Sequence, residues 1–473
     1  MSGYRVWWRW WIVMGTLLGM ALLFPKEGID LGILGVWRFF KPEDIWPERQ
    51  KPSAARQVIS TATDTARITR LAPERLVGRR WKAAEPGRLQ YPDDNPSALE
   101  PFFRLLARLA ENLGNAADSV FHILHYGDSQ IEGDRISGYL RHRLQGLFGG
   151  SGAGLIPAVQ TVPARNVRQI ASNNWYRYTL YGPAENRAPD KRYGVLMSRS
   201  QYIGDTASLH LFRSATGYPG VRKLQLVRLF YSGPDSACEL TIQDADGIQT
   251  FTLQADSARQ SRTLEVPVRW NANGLKLFFK GPSPEVYGLS LEGEPGLQVD
   301  NIPMRGASGT FFRAGDARLL SHQLQELNVC LFILEFGGNT LPHIQSPEEV
   351  TRYARTMEDQ FRFLLRLRPQ ACLVVIGPAD MAVRINGRLE THPFLEALRD
   401  ELRSATLRAG GVYWDMYAAM GGPRSMPVWA AASPPLAAPD FIHFTPAGAE
   451  KIAGMFTAAL VDDFNLWLSG QKP

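Results

Sequence analysis

Along two separated stretches of this chain, short apolar runs alternate with long amphipathic ones, and that alternation limits the fold more than any other feature. In the first stretch, Ser97 is placed to cap an amphipathic helix carrying Phe102, Phe103, Leu105, Leu106, Leu109 and Leu113. The run Phe121–Tyr126 follows, then a helical pattern over Gln130–Leu147 with Ile131, Ile136, Leu140 and Leu144 on one face. In the second stretch the strand candidates Leu297–Pro303, Asn328–Phe336, Ala371–Ile376 and Gly411–Trp414 alternate with the helix candidates Pro347–Leu367, Phe394–Arg408 and Pro446–Leu468. Strands that are apolar on both faces must be covered on both faces, so the pattern predicts an α/β domain with a parallel sheet between two helical layers.

Between the two stretches the texture changes. Leu224–Tyr231, Cys238–Ile242, Thr250–Leu253, Leu264–Trp270, Leu275–Phe279 and Val286–Leu291 are short and alternating, with the turn dipeptides Asp246-Gly247 and Asn273-Gly274 among them. This spacing predicts an antiparallel β-sandwich spliced into the α/β domain. The expected organisation is a membrane anchor or signal segment over 1–25, an extended tether over 26–97, the first part of the α/β domain over 98–156, the sandwich over 157–296, and the second part over 297–473.

The anchor rests on Val6–Phe24, nineteen residues interrupted only by Arg9, which is near enough to the end of a helix to reach the interface. Arg5 and Arg9 precede the apolar run, and the positive-inside rule then leaves the bulk of the chain outside the cytoplasm, as a periplasmic or other extracytoplasmic protein held at the inner membrane. A cleaved signal peptide is the alternative and leads to the same compartment. Residues 1–97 hold 15 Lys and Arg against 10 Asp and Glu, which accounts for most of the formal net charge of +6. A basic juxtamembrane stretch explains that excess, and no nucleic-acid surface is expected. The three cysteines, Cys238, Cys330 and Cys372, have no CxxC spacing and are expected to be buried thiols.

Ligands of an open parallel sheet collect beyond the carboxyl ends of its strands. Four polar clusters stand at such ends. Ser129, in Gly127-Asp128-Ser129, closes a strand and opens a helix, so its hydroxyl and its amide both face such a site. It also fits a capping box with Glu132, in which it would merely start the helix. Asp440-Phe441-Ile442-His443 precedes the helix-starting pair Thr445-Pro446, leaving His443 in a rim loop with Asp440 close enough to orient its ring; a solvated surface pair is the other reading. Asn339, after Gly337 and Gly338, has a side-chain amide able to donate to an oxyanion or, alternatively, simply occupies a glycine-rich turn. The fourth cluster is Arg305-Gly306-Ala307-Ser308. His122 and His125, three apart on a strand, point to opposite faces and make an improbable metal pair.

Taken in chain order, the four clusters resemble the signature blocks of the SGNH, or GDSL-like, hydrolase superfamily. Gln130 stands where many members have leucine, and Thr340 where the third block usually has aspartate. The resemblance covers residues 98–157 and 297–473 and implies a flavodoxin-like sheet. It also implies a triad of Ser129, Asp440 and His443, an oxyanion hole of the Ser129 and Gly306 amides with the Asn339 side chain, and no cofactor or metal. With an inserted β-domain and export, the chain is similar to peptidoglycan and polysaccharide O-acetylesterases, which implies an acylated envelope glycan as substrate. An O-acetyltransferase, served by a membrane acyl-transfer partner, would use the same residues. A non-catalytic glycan-binding envelope protein is the reading from another class. Trp270 and Tyr287 of the sandwich are as well suited to core as to sugar stacking.

Overall fold

The computed structural model describes residues 29–30, 36–37, 54–60, 87–111 and 119–470, which fall into two compact units, Met1–Ser53 and Ala54–Pro473. In the first, β1 (Ile29–Asp30) pairs antiparallel with β2 (Val36–Trp37). The predicted anchor over 6–24 lies outside the described residues, among which no helix is long and apolar enough to cross a membrane.

The second unit is built on a six-stranded sheet. Its members are β3 (Leu89–Gln90), β4 (Val120–Gly127), β16 (Gly296–Pro303), β17 (Val329–Glu335), β18 (Cys372–Ile376) and β21 (Val412–Trp414), in the order β16-β4-β17-β18-β21-β3. All neighbours are parallel except the edge pair, where β3 runs antiparallel to β21, and β19 (Ala382–Ile385) and β20 (Arg388–Thr391) form a separate hairpin. Alternation along the strands sends side chains to two cores. Leu124, Tyr126, Phe332, Leu334 and Val375 pack under the helices Ala317–Glu326, Pro347–Leu367 and Leu395–Arg408. Ile123, Leu331, Ile333, Val374 and Trp414 pack under Glu100–Glu111, Arg135–Phe148 and Pro446–Leu468. The apolar runs are continuous because each strand feeds both layers.

Part of the region expected to be an extended tether contributes to this body. Leu89 is buried at the sheet edge, Tyr91 and Arg88 bond Asp463 of the last helix at 3.0 and 3.3 Å, and the helix Ala54–Ser60 buries Ala55. A two-residue strand is too short to show a period, so the sequence pattern carries no trace of it.

Between β4 and β16 two antiparallel sheets face each other. One holds β5 (Gly152–Ile156), β7 (Trp175–Thr179), β8 (Ser198–Tyr202), β10 (Leu226–Ser232), β13 (Ser261–Pro267) and β15 (Glu285–Glu292). The other holds β6 (Val167–Ala171), β9 (Thr206–Arg213), β11 (Cys238–Gln243), β12 (Ile248–Leu253) and β14 (Leu275–Lys280). Because β5 already pairs with β15, the antiparallel region begins before residue 157. Trp270 and Tyr287 are buried, as are all three cysteines. Tyr287, Phe230 and Leu196 join the same core as Leu124 and Tyr126, so the two halves share packing rather than hanging on a hinge.

The seam also carries charge. His122 of β4 is fully buried, with Asp300 of β16 at 2.7 Å and Glu292 of β15 at 3.3 Å. Burial opposes its charge, but the two carboxylates outweigh that cost and push its pKa up to about 9. His125 faces the opposite layer, bonded to Ser137 at 2.9 Å and lying 3.3 Å from Glu335. No cluster able to hold a metal occurs among the described residues.

Candidate active site

The parallel register brings three strand ends level, Gly127 lying opposite both Pro303 and Glu335. Ser129, Gly306 and Asn339 therefore emerge side by side beyond β4, β16 and β17. Ser129 sits in a tight turn in which Asp128 Oδ1 accepts the Gln130 amide at 2.9 Å. The capping-box reading fails here. The helix begins only at Arg135, the Glu132 amide donates to the Ser129 carbonyl, and the Glu132 carboxylate meets Arg305 at 3.1 Å. That leaves the Ser129 hydroxyl free to bond elsewhere.

Its partner is His443. Ser129 Oγ and His443 Nε2 are 2.8 Å apart, and His443 Nδ1 lies 2.7 Å from Asp440 Oδ2. The other oxygen of Asp440 accepts the Ile442 and His443 amides, both at 3.0 Å, around a turn in which Phe441 has φ of 56°. One carboxylate thus shapes the loop and aims the ring that the loop carries. Partial burial works against its charge, but the two amides and the imidazole hold the Asp440 carboxyl below its usual range. The imidazole tautomer follows: a proton on Nδ1 faces the carboxylate, and Nε2 is left to accept from the hydroxyl.

Asn339 is half-buried, and its Nδ2 donates one hydrogen to the Ala307 carbonyl at 3.1 Å, which leaves a second hydrogen for a ligand. Gly306 is exposed in the left-handed region at φ of 75°. The loop that carries it is held by Tyr353, whose hydroxyl donates to the Ser308 carbonyl at 2.7 Å. The Ser129 and Gly306 amides donate to no group among the described residues. All four groups, Ser129, His443, Gly306 and Asn339, line one open cleft of about 800 Å³. Behind the serine turn, burial pushes the Asp128 carboxyl up to about 7, with nearby Glu335 adding to the shift.

Two residues to which the sequence analysis gave no role, Gln130 and Arg135, hold the histidine loop onto the serine turn. Gln130 Nε2 donates to the Ile442 carbonyl at 2.6 Å, and Gln130 Oε1 accepts the Phe444 amide at 3.4 Å. The Arg135 guanidinium reaches the carbonyls of Phe444 at 2.9 Å and Ser129 at 2.8 Å. Together they grip the backbone on both sides of His443 and tie it to the residue that carries the hydroxyl.

The chain matches no family model and no curated protein. Among solved structures it is similar to a peptidoglycan O-acetylesterase, with a TM-score of 0.61 and 22% identity over 77% of this chain and 96% of the other. At that identity the likeness is one of fold. Looser likenesses extend to a salicylyl-acyltransferase from a tetracycline biosynthetic pathway (TM-score 0.27, 12% identity, 63% of this chain and 98% of that one). They also include a GDSL-like lipase from Parabacteroides merdae (TM-score 0.24, 15% identity, 36% and 74%). In this chain Ser129, Gly306, Asn339 and the Asp440–His443 loop stand at the carboxyl edge of the parallel sheet.

Proposed function

We propose that this protein is a serine esterase that removes O-acetyl or short acyl groups from an envelope glycan. The observation that carries the reading is the unbroken relay from Ser129 Oγ through His443 to Asp440, opening on a cleft that Ser129, Gly306 and Asn339 line. His443 takes the hydroxyl proton through Nε2 as Ser129 attacks the ester carbonyl, and the imidazolium that forms is stabilised by Asp440. The oxyanion is received by the Ser129 and Gly306 amides and the spare Asn339 hydrogen. His443 then protonates the departing sugar oxygen, and water attacks the acyl-enzyme with His443 again as base. Solvent access favours hydrolysis over transfer: the side chains of His443 and Asp440 are 35% and 46% exposed, so water reaches the acyl-enzyme unhindered.

The test is release of a chromophore from an aryl acetate by the full-length chain and by its Ser129→Ala variant. A drop of at least about 10³-fold is expected, since a triad lacking its nucleophile keeps only the oxyanion contribution; equal rates would reject the reading. An acetylated glycan offered with and without a sugar acceptor should give free acetate in both cases, whereas acetylated acceptor formed faster than acetate would make the protein a transferase. The same proposal has Val6–Phe24 anchor the chain in the inner membrane with its bulk outside. Protease added to spheroplasts should then degrade the protein, and full protection would refute that placement.

A further inference from the structure

Between β18 and the helix Leu395–Arg408 the chain leaves the sheet and folds the hairpin β19–β20, which neither the relay nor the oxyanion hole uses. The hairpin is rooted at the cleft. Met381, the residue before β19, lines the cleft with Ser129 and His443, and the next amide, that of Ala382, donates to the Phe441 carbonyl of the histidine loop at 3.2 Å. The returning strand is fixed as firmly. Thr391 donates to the buried Asp380 at 2.8 Å, Asp380 also accepts the Met426 amide at 2.8 Å, and the His392 amide donates to the Met381 carbonyl at 2.8 Å. Asn386 and Gly387 close the hairpin with φ of 49° and 78°, the pair of positive values that the tightest hairpin turn requires. A base bonded on both strands and a two-residue turn make a stiff arm.

The arm carries uncompensated positive charge. Arg384 and Arg388 are exposed and meet no carboxylate among the described residues; Arg384 reaches only the Gly387 carbonyl, at 3.5 Å. Glu390, the one acidic residue of the hairpin, is already matched by Arg424 at 3.9 Å. On the neighbouring helices, by contrast, Arg362 and Arg408 share Glu358 at 2.9 and 2.8 Å. A polar Asn-Gly tip with one exposed apolar side chain, Ile385, is poor material for entering a bilayer. Two guanidiniums suit a carboxylate or a phosphate, either of which accepts two parallel N–H bonds from one arginine. At about 3.3 Å per strand residue, Ile385 stands roughly 10 Å from Ala382, so a group held by the arm and a ring over Ser129 can belong to one glycan.

Building on the esterase reading, we propose that the β19–β20 hairpin holds an anionic group of the glycan, carboxylate or phosphate, outside the cleft through Arg384 and Arg388. The substrate class is thereby narrowed to acidic glycans. The arm acts on affinity rather than on the chemical step, because neither arginine lines the cleft in which Ser129 reacts.

Binding to the full-length protein is measured with dextran, carboxymethyl dextran and dextran phosphate, and KM with the O-acetylated form of each. At least one charged polymer should bind about threefold or more tighter than neutral dextran and show a KM lower by the same factor, the gain of one or two exposed ion pairs; which polymer gains names the group held. Added salt should erase the difference. The double variant Arg384→Ala, Arg388→Ala should lose the preference at unchanged kcat, melting temperature and aryl acetate rate. Arg355→Ala with Arg366→Ala, which removes the same charge from the helix Pro347–Leu367, should keep it. Equal affinity for all three polymers, a preference that survives in the first double variant, or equal loss in both would overturn the proposal. So would a polarity-sensitive dye on Ile385→Cys that enters lipid in phosphatidylglycerol proteoliposomes, which would make the tip a membrane contact. Loss of the esterase reading shows separately, as aryl acetate hydrolysis that does not depend on Ser129, and leaves the binding result standing.

Discussion

Replacing Gln130 by leucine, an apolar side chain of similar size, tests whether the clamp on the histidine loop matters to the relay. The substitution removes the donor to the Ile442 carbonyl at 2.6 Å and the acceptor for the Phe444 amide at 3.4 Å. The first bond is short and worth about 1 kcal/mol net; the second is long and worth less. Phe444 is 1% exposed, so its orphaned amide adds part of a desolvation cost of about 1–3 kcal/mol. Arg135 still holds the Phe444 carbonyl, which caps the loss. Loop docking should therefore weaken by about 1.5–2.5 kcal/mol, and if docking is what aligns His443, kcat falls about 10–70-fold. The assay is aryl acetate hydrolysis by the full-length chain, with kcat and KM separated and a thermal melt alongside. The fall should lie in kcat, because the loop positions the base rather than the substrate. A melting point lowered by several degrees with kcat intact would refute the reasoning, since the clamp would then serve stability alone.

Asn339→Ala should lower kcat by about 10²–10³ while the protein stays folded, because one oxyanion donor is lost and the bond to Ala307 is a single neutral one; a change below about threefold would remove Asn339 from the oxyanion hole. Asp440→Asn should cost on the order of 10⁴ in kcat, because the amide can present a hydrogen to His443 Nδ1 and favour the wrong tautomer; full activity would show that Asp440 does not orient the ring. The Asp128 carboxyl, moved by burial from 3.8 to about 7, holds a proton more tightly in the folded than in the unfolded chain. Stability is consequently lost as pH rises from about 4 to 7, and the advantage of Asp128→Asn in urea unfolding should grow from near zero at pH 4 to as much as about 4 kcal/mol at pH 8; a constant offset would contradict it. His122, charged up to about 9 in the fold, contributes stability that is complete below its unfolded value of 6.5 and lost as pH passes through 9, a fall of about 3 kcal/mol; flat stability from pH 6.5 to 9.5 would exclude an imidazolium at the seam.

The parallel sheet was legible because its strands are buried on both faces and its helices are long. Pro347–Leu367 and Pro446–Leu468 begin and end where their periodicity and first-turn prolines place them. Half of the sandwich was not. Residues 198–202 read Ser-Arg-Ser-Gln-Tyr, polar throughout, yet Ser198, Arg199 and Ser200 are buried, because β8 faces the seam and Arg199 is neutralised by Glu285 at 2.6 Å and Asp190 at 2.9 Å. Alternation reports burial only where burial is apolar. A strand that buries its charge against a partner over eighty residues away looks like a loop until the partner is in place.

The site divides along the same physical line. Ser129, Asn339, Asp440 and His443 are visible because reactive or strongly donating side chains at strand ends are uncommon enough to draw notice. Gln130 and Arg135 act instead on the carbonyls of Ile442 and Phe444, and every residue carries a carbonyl, so no residue type 312 or 309 positions away marks the partner. The departure from leucine at position 130 was the one visible trace. It acquires meaning only when the loop is seen against the turn: a chain that spends its polar side chains on backbone holds its histidine by geometry that no motif records.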